Sequence, residues 1–253
     1  MKNHYLILPG NPPAAYFYEN WIKDLESFCR NSSFEYVPFE LMNSNLSDTE
    51  TIDKLAFKLQ EYIEQHTEKK VSLIAHSFGG HLALQALKAL PQRIEQVILV
   101  FPFLGPPSLR GKSLLSLIHT IRKKEALFKF TRSHFPKLSY FFPEVKKLTP
   151  KEITTGLNLA YFEKAFFNEK LLANHLKGTF AKTVFIYNPK DAWCPPKIIN
   201  ALRKRSDSIY SNLAHDFVID EEQRKLMAKL LAQCINSPVV DGPSQSSSSG
   251  IYS

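Results

Sequence analysis

The chain has 253 residues, 44% of them hydrophobic, enough for one large α/β domain or two small ones. No apolar run approaches the roughly 18 residues that cross a membrane, and Met1–Gly10 is too short and too strand-like for a signal peptide. Cys29, Cys194 and Cys234 are odd in number and lack a C-x-x-C pair, which argues against a disulfide framework and a zinc site and favours a reducing, cytoplasmic home. The formal net charge of +8 is local: between Gly105 and Pro150 ten Lys or Arg face only two acids, Glu125 and Glu144, so the remainder is neutral. A simple nucleic-acid binder would not confine its charge in this way.

In chain order, His4–Pro9 (HYLILP) reads as a buried strand. Phe34–Leu41 alternates and reads as a second strand, placed at an edge by Pro38. Asp48–Gln65 has apolar residues at Ile52, Leu55, Ala56, Leu59 and Ile63, a helical spacing. Val71–Ala75 reads as a strand, Gly79–Ala89 as a helix and Gln96–Phe101 as a strand. Thr183–Tyr187 and the short Ser208–Ser211 read as two more strands, and Asp220–Ile235 as a closing helix. Such alternation predicts a mostly parallel sheet of about six strands with helices on both faces, whose working loops lie at the strands' carboxyl ends. Residues 105–176 break the alternation as a helical insertion. Residues 236–253, rich in serine, read as a disordered tail.

The join between strand and helix reads Ala75-His76-Ser77-Phe78-Gly79. A strand that turns within two residues into a helix needs small neighbours, and a serine at the turn is presented outward, as in the G-x-S-x-G nucleophile elbow. Here Ala75 stands for the first glycine. A serine hydroxyl needs a base, and the base an orienting acid. The order Ser…Asp…His then selects Asp191, just past the strand at Thr183, and His215, ahead of the last helix. Asp216 is a rival acid only by adjacency. The backbone N–H of Phe78 and that of Asn11, after Gly10, are the candidate oxyanion donors. Gly10, His76, Phe103 and Trp193 are candidates for the substrate pocket. No metal cluster and no phosphate-cradling glycine loop is present, so no cofactor is expected.

Elbow, late Asp and later His together resemble the α/β hydrolases over about residues 5–235. The loop Pro9-Gly10-Asn11-Pro12-Pro13, followed by Phe17-Tyr18 and Trp21, resembles the signature of the lipid droplet-associated hydrolases, as does His76-Ser77 in the elbow. Pro13 and Ala75 depart from that family's glycines. The resemblance implies an α/β-hydrolase domain over 1–235 with residues 105–176 as a lid, and a serine hydrolase acting on acyl esters, lipid esters above all. With the cytoplasmic home that the cysteines favour, the expected location is cytoplasmic, peripheral on lipid droplets or membranes if the basic insertion meets them.

Within the insertion, Leu114, Leu117, Ile118 and Ile121 have helical spacing beside Arg122, Lys123 and Lys124. Phe101, Phe103, Phe128, Phe130, Phe135, Phe141 and Phe142 are available for an acyl pocket or a lipid surface. Basic plus apolar is what interfacial binding requires; a solvated basic face is the plainer alternative. For function, a thioesterase or small-ester esterase remains open beside the lipid esterase, as does a catalytically idle fold that binds a lipid surface or a protein partner.

Overall fold

The computed structural model describes residues 3–38, 50–66, 70–113, 115–116, 148–149, 152, 155–160, 163, 167–177 and 183–236. Six strands form one sheet: β1 (Asn3–Leu8), β2 (Ser32–Tyr36), β3 (Val71–His76), β4 (Ile94–Val100), β5 (Thr183–Tyr187) and β6 (Asp207–Tyr210). Their order is β2-β1-β3-β4-β5-β6, and every neighbouring pair is parallel. The connecting helices are α1 (Ala15–Phe28), α2 (Glu50–His66), α3 (Gly79–Ala89), α4 (Glu169–Leu176), α5 (Pro196–Arg203) and α6 (Glu221–Asn236).

Strand side chains alternate between faces, and both faces of this sheet are covered. Tyr5, Ile7, Ile74, Ile98, Val100 and Ile186 pack against Phe17, Trp21 and Leu25 of α1 and Met227 and Leu231 of α6. Their neighbours Leu6, Leu8, Leu73, Ala75, Val97, Leu99 and Phe185 pack on the other face with α2, α3 and α5. Burial on both sides is why these strands are continuous apolar runs rather than alternating ones.

Two helices carry no prediction from the sequence, α1 and α5. In α1 the spacing Phe17, Trp21, Leu25 is helical, but its aromatics and the preceding Pro12-Pro13 give it the look of a loop. In α5 Pro195-Pro196 precedes a buried Ile198, Ile199, Leu202 face, with proline at the first helical position, where its missing N–H costs nothing. The second strand lies earlier than predicted, at Ser32–Tyr36, because its ladder with β1 ends there. Val37 N–H still bonds Ile7 O at 3.1 Å, and Pro38 has no N–H with which to continue.

Leu114, the Leu117–Lys124 stretch and Phe128, Phe130, Phe135, Phe141 and Phe142 lie outside the described residues, as does the tail beyond Asn236. The parts of 105–176 that are described include α4, and Leu172 on it shares one apolar cluster with Ile198 of α5, both side chains closing on Gly105. Among the described residues, no helix is long and apolar enough to cross a membrane.

At Gly79, the first residue of α3, a Cβ would lie 2.6 Å from Leu8 O and 2.8 Å from Pro9 O. Backbone atoms cannot rotate aside. Gly79→Ala should therefore push α3 off β1 and lower stability by about 1–3 kcal/mol, measured as a reduced urea midpoint with an unchanged m-value.

Candidate active site

β3 is buried along its whole length and runs into α3 with only Ser77 and Phe78 between them. Ser77 makes the turn at φ 51, in the left-handed region, a conformation that costs about 1–3 kcal/mol for a residue with a Cβ. The turn is over-determined. Ser77 N–H donates to Val100 O at 3.1 Å, and Ser77 O accepts from Gly80 N–H at 3.0 Å and Phe103 N–H at 2.9 Å. With its backbone tied to β4 and α3, the serine side chain faces the loops at the strand ends. Gly10 lies against it: a Cβ there would sit 2.8 Å from the Cβ of Ser77.

His215 Nε2 lies 2.8 Å from Ser77 Oγ, and His215 Nδ1 lies 2.8 Å from Asp191 Oδ2. Asp191 follows β5 and His215 follows β6. Asp191 is anchored on its other oxygen by the backbone N–H of Trp193 at 2.8 Å, and its side chain is nearly sealed from solvent. Asn188, for which the sequence suggested no role, joins the two loops. Its Nδ2 donates to Leu213 O at 2.8 Å, while its carbonyl accepts from Asp191 N–H at 3.0 Å. Asp216 is exposed and Asp207 opens β6 at its far end.

The structure revises the expectation for His76. Both of its ring nitrogens are occupied, Nδ1 by the Tyr18 hydroxyl at 2.6 Å and Nε2 by the carbonyl of His215 at 2.8 Å. It is 4% exposed and offers no nitrogen to a substrate. Gly10 N–H donates to the same Tyr18 hydroxyl at 2.7 Å. Asn11, next in the loop, donates its side-chain Nδ2 to Glu163 at 3.1 Å. Burial pushes the Glu163 carboxyl up to about 7, against the opposing pull of that bond. Phe78 sits at the N-terminus of α3, where backbone N–H groups have no acceptor within the helix.

Phe103 and Trp193 stand together beside the histidine. Their rings are 5.5 Å apart, Trp193 is 6.1 Å from the His215 ring, and Phe103 stacks on Phe167 at 4.1 Å. Phe101 is fully buried and stacks against His215 at 6.2 Å. Among the described residues, no group of three or more His, Cys, Asp or Glu is arranged to hold a metal ion.

The model of the lipid-droplet associated hydrolase family matches residues 1–170, two thirds of the chain, including the first loop and the elbow. The chain belongs to this family. The lipid droplet-associated hydrolase of Gallus gallus is 21% identical over 85% of this chain and 80% of its own. Among solved structures, an esterase from Exiguobacterium antarcticum superposes with a TM-score of 0.63 at 16% identity, over 93% of this chain and 92% of that one. An epoxide hydrolase from Bacillus megaterium superposes with a TM-score of 0.63 at 15% identity, over 94% of each chain. This lipid-droplet associated hydrolase family member therefore has the α/β-hydrolase fold, which at such low identities is shared by enzymes of different chemistry.

Three buried histidines make its stability depend on acid. Burial, with His215 beside it, lowers His76 to about 3, and burial, with Lys88 nearby, lowers His175 to about 4. Burial, with His175 at 3.0 Å, holds His81 well below the usual value. Unfolded, each takes up a proton near pH 6.5; folded, none does, so their contribution is complete above pH 6.5 and is lost as pH falls. Glu163 acts oppositely: raised to about 7, its contribution is complete below the ordinary 4.5 and is lost as pH rises. Three histidines opposed by one carboxyl leave a net uptake of two protons on unfolding between those values. Stability should fall by about 2.7 kcal/mol per pH unit on acidification through this window, measured by urea unfolding at pH 5, 5.5 and 6.

Proposed function

We propose that the protein is a serine hydrolase that cleaves carboxylic esters, preferentially lipid esters, through Ser77, His215 and Asp191. The observation that carries this reading is the pair of 2.8 Å hydrogen bonds that line up serine, imidazole and carboxylate at a serine held in a strained turn. His215 Nε2 takes the Ser77 proton as Oγ attacks the ester carbonyl. The oxyanion forms against the N–H groups of Phe78 and Asn11. His215 then gives the proton to the departing alcohol, which leaves an acyl-enzyme. Water repeats the sequence and releases the acid. Asp191, locked by Trp193 N–H, keeps His215 in the tautomer with Nδ1 protonated and stabilises the imidazolium that forms.

The preference for an apolar acyl group is supported by Trp193, partly buried beside His215, with the buried rings of Phe103 and Phe167 stacked behind it. Residues 105–176, to which Phe167 belongs, serve as the lid, and the basic stretch within 105–150 as the surface that meets a lipid droplet or membrane. A lipid-droplet relative in Gallus gallus agrees with that placement.

Ser77→Ala should reduce ester turnover by about 10³-fold or more and abolish labelling by a fluorophosphonate, with the melting temperature maintained. Retained turnover or labelling would remove Ser77 from the role of nucleophile. Asp191→Asn should cost about 10⁴-fold in kcat through the wrong histidine tautomer. Asp207→Asn, at the opposite end of β6, is the control and should leave the rate unchanged.

A further inference from the structure

Gly10, Tyr18, His76 and His215 come from four separate parts of the chain and are joined by three consecutive hydrogen bonds of 2.7, 2.6 and 2.8 Å. The ends of this series fix its direction. Gly10 N–H can only donate, so it occupies a lone pair of the Tyr18 oxygen. At the other end the carbonyl of His215 can only accept, so the neutral ring must present Nε2–H to it, and Tyr18 directs its single hydroxyl proton to the bare His76 Nδ1. A protonated His76 would oppose the Tyr18 proton, and burial already drives the ring to its neutral form, at about 3.

We infer that Tyr18 and His76 are positioning residues: Tyr18 holds the His76 ring at Nδ1, and His76 holds the backbone of His215 through Nε2–H while the same hydroxyl holds the loop of Gly10 and Asn11. This rests on the serine-hydrolase reading above. Neither residue touches substrate. Tyr18 is 1% exposed, with its ring packed on Trp21 and Tyr36, and Phe217 closes on the His76 ring at 5.1 Å. What the series couples is the base to the loop that bears one of the two oxyanion donors. The coupling is tight because a Cβ on Gly10 would come within 3.0 Å of His76 Nδ1 and 3.2 Å of the Tyr18 hydroxyl. The series thus leaves no room for a side chain at residue 10. Gly10 N–H is consumed here, which leaves Asn11 N–H as the donor from this loop.

The test uses Tyr18→Phe, His76→Phe and His76→Gln in the full chain, with a short p-nitrophenyl ester as the substrate. Tyr18→Phe removes one oxygen and keeps the packed ring, and circular dichroism establishes that each variant is folded. Misplacement of the base by about 1 Å costs on the order of 10²-fold, so Tyr18→Phe and His76→Phe should each lower kcat by about that factor with little change in KM. His76→Gln, whose amide places an N–H near the position of Nε2, should recover most of the loss seen with phenylalanine. Imidazole ¹⁵N spectra at pH 7 should give wild-type His76 as the Nε2–H tautomer and show the Nδ1 resonance of Tyr18→Phe moved to that of an acceptor without a hydrogen bond. Wild-type kcat in folded Tyr18→Phe, no recovery with glutamine, or an Nδ1–H tautomer in the wild type would overturn the inference. A wild-type protein with no Ser77-dependent turnover or labelling would instead remove the hydrolytic reading, while the tautomer still decides whether the series exists as described.

Discussion

Ser77 sits at φ 51 because three backbone hydrogen bonds and one missing Cβ leave it no alternative. Val100 O draws its N–H toward β4, and the N–H groups of Gly80 and Phe103 hold its carbonyl. Gly79 lets α3 settle against the carbonyls that end β1. Strain of this size persists only where surrounding contacts determine it, and here they come from β1, β4 and α3 together. The turn is therefore a property of the assembled sheet. The loops that meet Ser77 from β1, β5 and β6 are arranged around an atom whose place is already fixed.

The loop that carries His215 has no regular structure and depends on tethers. Asn188 holds the carbonyl of Leu213, Gln223 of α6 accepts the N–H of Ala214 at 2.8 Å, His76 holds the carbonyl of His215, and Asp191 holds its ring. These reach it from β5's loop, from α6 and from the end of β3. A residue on such a loop is positioned by the scaffold around it, and here three parts of that scaffold share the task.

The parallel sheet, the tight turn at Ser77 and the convergence of Asp191 and His215 on it were legible because each leaves a local mark. Strands buried on both faces appear as apolar runs, the tight turn demands small residues, and the strand ends fix where Asp191 and His215 can sit. Helices α1 and α5 left weaker marks, their periodicity obscured by aromatics and by paired prolines. The role of Tyr18 left none, since its hydroxyl meets a residue 58 positions away. For His76 a signal was available. It lies two residues beyond Ile74 in β3, hence on the face that packs against α1 and α6, and that parity turns it toward Tyr18 rather than toward a pocket. Asn188 and Glu163 act through partners distant in the chain, which sequence spacing does not record.

Strand order imposes a last constraint. Because all six strands are parallel, the loops bearing Gly10, Ser77, Asp191 and His215 leave the sheet at one edge. That brings them to the same end but not together. Strands lie about 4.8 Å apart, so β6, three places from β3, is offset from it by roughly 14 Å. For His215 to bring Nε2 within 2.8 Å of Ser77 Oγ, its loop must lean back across β5 and β4. Phe217, two residues on, holds it there. It is fully buried, with its ring 5.0 Å from Trp21, 5.1 Å from His76 and 5.9 Å from Phe101. The apolar burial of one phenylalanine against α1, β3 and the end of β4 thus draws the loop inward, and hydrogen bonds from His76 and Asp191 then select the orientation of the histidine. Packing supplies the displacement, and the directional polar contacts supply the alignment of His215 Nε2 with Ser77 Oγ.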